Sequence, residues 1–338
     1  MTAVCPETPC KGERVLSALA TSLVMLHFAV APSSSAAAQV PTDSVAPPGR
    51  LVDLGGYSLH LLCTGRRYIG GLTVVLSIGG GGFAVDWSLV QTPLSDSARV
   101  CSYDRAGFGW SDAGPTPRTL AQEAFEVRSA LHKAGERAPF IVVGQSLGAF
   151  VVRRFAEDNP ADVSGVVLVE PTNENGYLGY RGQWAIPRTL ASTRPVPPVR
   201  SFAESPPIPS TATDRSSCVT GGDRKVRLFQ CFVAQDDYFA EEMAAFYNAW
   251  KTTPHPLGDM PLVEIKGTRP RTPPPGLSDA QLRSDSMRLD LSKLSSRGRL
   301  VTDSSSGHHV QRDNPALVVD VVRKMMRPPP QTRARSSR

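Results

Sequence analysis

The chain has 338 residues, 41% hydrophobic and 20% charged, an ordinary globular composition that suffices for one large core or two small ones. Its net charge of +6 suggests an acidic partner, yet the last sixteen residues carry six basic side chains and no acid. The remainder is neutral, which excludes a nucleic-acid footprint on the body of the chain.

Lys11 and Arg14 precede an apolar run over 15–30, and Ala36-Ala37-Ala38 follows it. That run is short of the ~20 residues a membrane span needs, whereas basic residues, a brief apolar core and small residues at a cut describe a secretory signal peptide. The expectation is a signal over 1–38, a Pro-rich linker over 39–49, and a secreted or periplasmic protein with no stable membrane span after cleavage; an uncleaved anchor is the alternative. Cys5 and Cys10 leave with the signal, and Cys63, Cys101, Cys218 and Cys231 remain, an even number in an oxidising compartment. At the other end, the basic stretch 327–338 reads as a disordered tail.

The segments 50–53 and 57–63, separated by Gly55-Gly56, read as a hairpin. The apolar strand 73–78 feeds into Gly79-Gly80-Gly81-Gly82-Phe83, where glycines let a carbonyl approach the backbone and leave an N–H free to meet it. A flexible turn is the plainer alternative. A helix over 86–95 with Trp87 on its buried side precedes a strand over 99–103, which ends in Asp104-Arg105-Ala106-Gly107-Phe108-Gly109-Trp110-Ser111. Residues 119–133 form an amphipathic helix.

A β-branched run then ends at Val143, and helical periodicity starts at Leu147, so Ser146 of Gly144-Gln145-Ser146-Leu147-Gly148 sits on the turn between strand and helix. A serine hydroxyl is a poor nucleophile until a base takes its proton, so it must stand clear of the backbone with an imidazole on one side and substrate on the other. A sharp strand-to-helix turn achieves this; Gly144 and Gly148 relieve its crowding, and the Leu147 N–H at the helix start faces a developing oxyanion. The bland alternative is a glycine-rich turn whose serine caps a helix.

A buried strand over 163–169 ends at Glu170-Pro171. The next segment, 172–260, is far longer than a usual connection of ~2–6 residues; it holds a Pro-rich stretch and an aromatic helical stretch over 226–250. Strand 262–266 is followed by no carboxylate until Asp279. A last strand over 299–302 leads to Gly307-His308-His309, and Asp313-Asn314-Pro315 opens the final helix. No His/Cys/Asp cluster has ligand spacing, so neither metal nor cofactor is implied.

Over about 50–323 these motifs resemble the α/β-hydrolase fold superfamily, in particular its lipase-, esterase- and haloalkane dehalogenase-like members. The resemblance rests on the Gly144–Gly148 elbow, on the loop from Asp104, which is similar to D-R-x-G-x-G-x-S, and on Gly307-His308. It implies an α/β fold: a mostly parallel eight-stranded sheet flanked by helices, formed by 50–171 and 261–326, with a helical cap over 172–260 inserted after the sixth strand. Serine, acid and histidine then follow in chain order, with Ser146 as nucleophile and His308, rather than His309, as base.

Most relatives carry the acid after the seventh strand, where this chain offers only the remote Asp279. Others carry it at the end of the sixth, where Glu170 stands on a rigid strand end, so Glu170 is preferred and Asp279 stays open. The backbone N–H groups of Gly80 and Leu147 match the oxyanion hole, Ile78 stands where a histidine is common, and Asp104 and Arg105 fix the rim without joining the triad. In this fold the second strand lies antiparallel beside the fourth, which makes Cys63–Cys101 with Cys218–Cys231 the preferred of three pairings, four thiols being the alternative.

The implied activity is hydrolysis of carboxylic esters or related acyl substrates with an apolar acyl part, through a Ser-His-Glu triad and an acyl-enzyme, with a small molecule as the only partner. The same triad serves lactone, amide and carbon–carbon bond hydrolysis and haloperoxidase chemistry. A non-catalytic binding protein that keeps the fold is the reading from another class.

Overall fold

The computed structural model describes residues 46–67, 71–199, 238–270, 272–273, 275–278 and 289–327. The expectations for the signal peptide, for most of the linker, for Cys218 and Cys231, for Asp279 and for the tail beyond 327 lie outside those residues.

The strands are β1 (Arg50–Asp53), β2 (Ser58–Thr64), β3 (Thr73–Ser77), β4 (Arg99–Tyr103), β5 (Phe140–Gln145), β6 (Val163–Val169), β7 (Leu178–Tyr180), β8 (Gln183–Ala185), β9 (Leu262–Gly267) and β10 (Gly298–Asp303). The helices are α1 (Ser88–Ser95), α2 (Leu120–Lys133), α3 (Gly148–Asp158), α4 (Phe239–Thr252), α5 (Val310–Asp313) and α6 (Pro315–Met326). Eight strands form one sheet in the order β1-β2-β4-β3-β5-β6-β9-β10, in which β2 alone runs against the others.

The central strands are buried on both faces, as parallel strands between helices must be, and alternate residues serve opposite layers. Val75, Val142 and Leu168 pack toward α2 and α3, while Val74, Leu76, Ile141 and Val143 pack toward α1 and α6. Thr119 caps α2 by accepting from the Gln122 N–H at 3.0 Å, and Asn314 caps α6 with Pro315 at its first position. Cys63 and Cys101 face each other across the β2–β4 pair and are joined by a disulfide.

The described part of 172–260 holds α4 and the small antiparallel pair β7–β8. The reading of the sequence contains no β7 or β8, because three-residue strands around Arg181-Gly182 carry too little alternation to register. Helix α4 lies against the core: Phe239 and Phe246 pack on Phe150 of α3 with ring centroids 5.9 and 5.5 Å apart. Glu242 accepts from the N–H groups of Leu120 and Ala121 at 2.8 and 3.2 Å, closing the open N-terminus of α2. Burial pushes the Glu242 carboxyl up to about 7, against the opposing pull of those two N–H groups.

Candidate active site

Ser146 follows β5 with φ at 51°, a left-handed conformation that a non-glycine residue adopts only when its surroundings hold it there. They do so on three sides. The Ser146 N–H donates to the Val169 carbonyl at 3.2 Å, and its carbonyl accepts from the N–H groups of Ala149 and Thr172, both at 3.1 Å. At Gly148 the turn passes so close to β3 that a Cβ would lie 2.4 Å from the Ser77 carbonyl oxygen. The elbow requires glycine there.

The Ser146 hydroxyl lies 2.9 Å from His308 Nε2, and His308 Nδ1 lies 3.3 Å from Glu170 Oε2. Glu170 also has a left-handed backbone, with φ at 43°, and its other oxygen accepts from the Gly267 N–H at 3.0 Å. Its own N–H donates to Ile265 at 2.7 Å. Glu170 is thereby held by β9 through both its backbone and its carboxylate. Thr172 Oγ1 stands 3.2 Å from the Ser146 hydroxyl.

His308 is carried by the loop after β10. Gln145, beside the serine, donates to the His308 carbonyl at 3.0 Å, and Asp313 accepts from the Gly307 N–H at 2.9 Å. Arg269 donates to the same Asp313 oxygen at 2.9 Å and to the Ser305 carbonyl at 3.2 Å. The segment after β9, which the sequence leaves without a carboxylate, braces the histidine loop instead. His309 stacks edge-on against His308 with centroids 5.2 Å apart, and burial, followed by the neighbouring His308, pulls its pKa below the ordinary histidine value.

The glycine run lies alongside. Gly80 sits next to Leu147: a Cβ on Gly80 would be 3.7 Å from Leu147 Cδ2. The neighbouring Gly79 is pinned, its N–H donating to Gln145 Oε1 at 3.2 Å and its carbonyl accepting from Arg105 at 2.9 Å. Asp104, wholly buried, accepts from the N–H groups of Ala84 and Trp110 at 2.7 and 3.1 Å and pairs with His60 Nδ1 at 2.7 Å. Both residues therefore hold loops rather than reach Ser146, as the sequence reading expects.

The residues that the sequence reading misses are Thr172, Gln145, His60, Arg269 and Asp313. Only Gln145 lies inside a recognised motif, at a position any residue fills. The others act through contacts distant in the chain.

Among the described residues, Cys63, Cys101 and Glu136 bring metal-ligand atoms together, but the sulfurs are bonded to each other and Glu136 takes Arg99 at 2.7 Å. A cavity of about 390 Å³ lies between α2, α3 and α4, lined by Ala121, Arg154, Glu157 and Phe246, and includes none of the residues around Ser146.

Strand order, elbow and histidine loop together define an α/β-hydrolase fold. The model of the alpha/beta hydrolase family matches residues 74–321, and the chain belongs to that family. A protein of Bacillus subtilis named YqjL is 32% identical over 106 residues, 31% of this chain and 42% of that one. This chain spans between 19% and 42% of the length of three curated relatives it matches. Among solved structures, the enol-lactonase of Burkholderia xenovorans aligns with a TM-score of 0.51 at 19% identity, covering 82% of this chain and 99% of that one. A thermophilic esterase of Thermogutta terrifontis aligns at 0.53 with 19% identity, covering 82% and 97%. At these identities the structural likeness speaks for the fold alone.

Proposed function

We propose that the protein is an exported serine hydrolase acting on carboxylic esters or related acyl compounds. The observation that carries this is the line from Ser146 through His308 to Glu170, with the hydroxyl 2.9 Å from Nε2 and Nδ1 facing the carboxylate. Such an order lets His308 take the serine proton as Oγ attacks a carbonyl and return it to the leaving group, while Glu170 orients the ring and balances its charge. The N–H groups of Gly80 and Leu147 suit the oxyanion, a contribution of roughly 3–4 kcal/mol per donor in comparable sites. Two proteins that share the fold, a thermophilic esterase and an enol-lactonase, fit this reading. A meta-cleavage product hydrolase of Pseudomonas fluorescens shares the fold, and carbon–carbon bond hydrolysis on the same triad is the second reading.

The test is turnover of p-nitrophenyl esters of increasing acyl length by the exported form, beside Ser146→Ala, Glu170→Gln and Asp279→Asn. Activity lost in the first two variants and kept in the third is the expected result, and the preferred acyl length sizes the pocket. Glu170→Gln is expected to lower kcat by about 10⁴-fold, by analogy with loss of the orienting acid elsewhere. No ester turnover together with no fluorophosphonate labelling of Ser146 would overturn the proposal in favour of a binding protein.

A further inference from the structure

The reacting oxygen has a second hydroxyl neighbour besides the imidazole. Thr172 Oγ1 lies 3.2 Å from Ser146 Oγ, and Thr172 is 9% exposed. Its backbone N–H donates to the Ser146 carbonyl at 3.1 Å, so the threonine is tied by its main chain to the residue its side chain faces. It also stands two residues beyond Glu170, on the strand end that presents the carboxylate.

Hydrogen counting gives the contact a direction. Ser146 has one hydroxyl hydrogen, and in the resting relay it points to His308 Nε2 at 2.9 Å. The hydrogen between the two hydroxyls is then the threonine's: Thr172 donates and Ser146 accepts.

We infer that Thr172 is a further catalytic residue, whose hydroxyl stabilises Ser146 Oγ as the leaving group when the acyl-enzyme is hydrolysed. The inference rests on the serine-hydrolase reading above. In that step water adds to the acyl carbonyl and gives a proton to His308. The C–Oγ bond then breaks, its electron pair passes to Oγ, His308 returns the proton to that oxygen, and the acid departs.

While acylated, Oγ is an ester oxygen whose lone pair is delocalised into the carbonyl, a weak acceptor. As the bond breaks it gains charge and becomes a strong one. The Thr172 hydrogen bond therefore tightens along deacylation, which is the condition for accelerating a step. In acylation the same bond is already made to the resting hydroxyl, so attack gains only the small increment between a hydroxyl that gives its proton to His308 and the attacking oxygen. The contribution falls mainly on one side.

This one-sidedness separates catalysis from mere support of the elbow. The experiment follows the acyl adduct on Ser146 by rapid-quench mass spectrometry with p-nitrophenyl acetate, in wild type, Thr172→Val and Thr172→Ser. In Thr172→Val the adduct should live about tenfold longer, the scale of losing one hydrogen bond to a developing charge. kcat and KM should fall together, leaving kcat/KM within about twofold because that ratio reports the steps up to acylation. Thr172→Ser should restore the wild-type lifetime. Thr172→Ala, read in the same way, serves if valine disturbs the fold.

Equal adduct lifetimes, a lower kcat/KM at unchanged lifetime, or a serine variant as slow as the valine one would each overturn the inference. Absence of any Ser146 adduct in wild type, from ester or fluorophosphonate, would overturn the serine-hydrolase reading and this inference with it. A wild-type adduct whose lifetime ignores Thr172 overturns this inference alone.

Discussion

Glu242 ties helix α4 to the core, and the tie should depend on pH. Its carboxyl closes the start of α2 through Leu120 and Ala121, and burial raises its pKa from 4.5 to about 7. Below pH 4.5 the folded and unfolded chains both hold this proton. Between 4.5 and 7 the unfolded chain releases it while the folded chain keeps it, so stability falls as pH rises and the loss is complete above the folded value. The gap amounts to about 3 kcal/mol, from ~1.4 kcal/mol for each tenfold change in proton affinity.

Glu242→Gln keeps an acceptor for the two N–H groups and removes the titration. Urea unfolding at pH 5 and pH 8 should show wild type losing about 2–3 kcal/mol more than the variant across that interval. In thermal scans the same difference corresponds to roughly 5–10 °C in Tm. Other carboxylates titrate as well, among them the buried Glu264 and the half-buried Glu123 and Glu157, whose pKa values desolvation also raises. They are common to both proteins, so the comparison isolates Glu242. Parallel pH curves for the two proteins would refute the reasoning.

Two further outcomes follow from contacts in the core. Gly148→Ala would set a methyl group 2.4 Å from a backbone carbonyl of β3, an atom that cannot yield; the loss should exceed about 3 kcal/mol, and soluble yield with ester turnover reads it. Reducing the Cys63–Cys101 bridge, which closes a separation of 38 residues, should cost about 4 kcal/mol on the chain-entropy scale. Urea midpoints with and without reductant measure that loss, and a Cys63→Ala/Cys101→Ala double variant should be insensitive to reductant.

Much of the fold was legible because its signals are local. Each central strand is a short apolar run bounded by glycine, proline or polar residues, and Thr119, Asn314 and Pro315 announce the helix starts they occupy. The elbow is legible for a stronger reason: only glycine fits at 148, so sequence and geometry constrain the same point.

What stayed hidden depends on chain segments meeting far from one another in sequence. Glu242 closes α2 from 122 residues away, and Arg269, in the segment after β9, meets Asp313 at the end of α5. Thr172 carries no motif of its own; it matters only because the turn after Glu170 folds back over Ser146. The pair β7–β8 was missed for the opposite reason, being local but too short to show a period.

The histidine loop reaches Ser146 from the edge of the sheet. Ser146 and Glu170 extend from adjoining strands whose ends pair Gln145 with Val169, whereas His308 follows β10, the outermost strand. Two of the three groups thus stand on adjoining strands, and the third is a visitor from the periphery, moored by Gln145 beside the serine and by the Arg269–Asp313 pair at the surface. On the proposed mechanism, reactivity and foldedness are for that reason separable quantities. With the triad acting as proposed, a disturbance at the rim that unmoors the visitor should silence the serine while the sheet stays whole, so a far-ultraviolet spectrum of the dead protein would look like that of the living one.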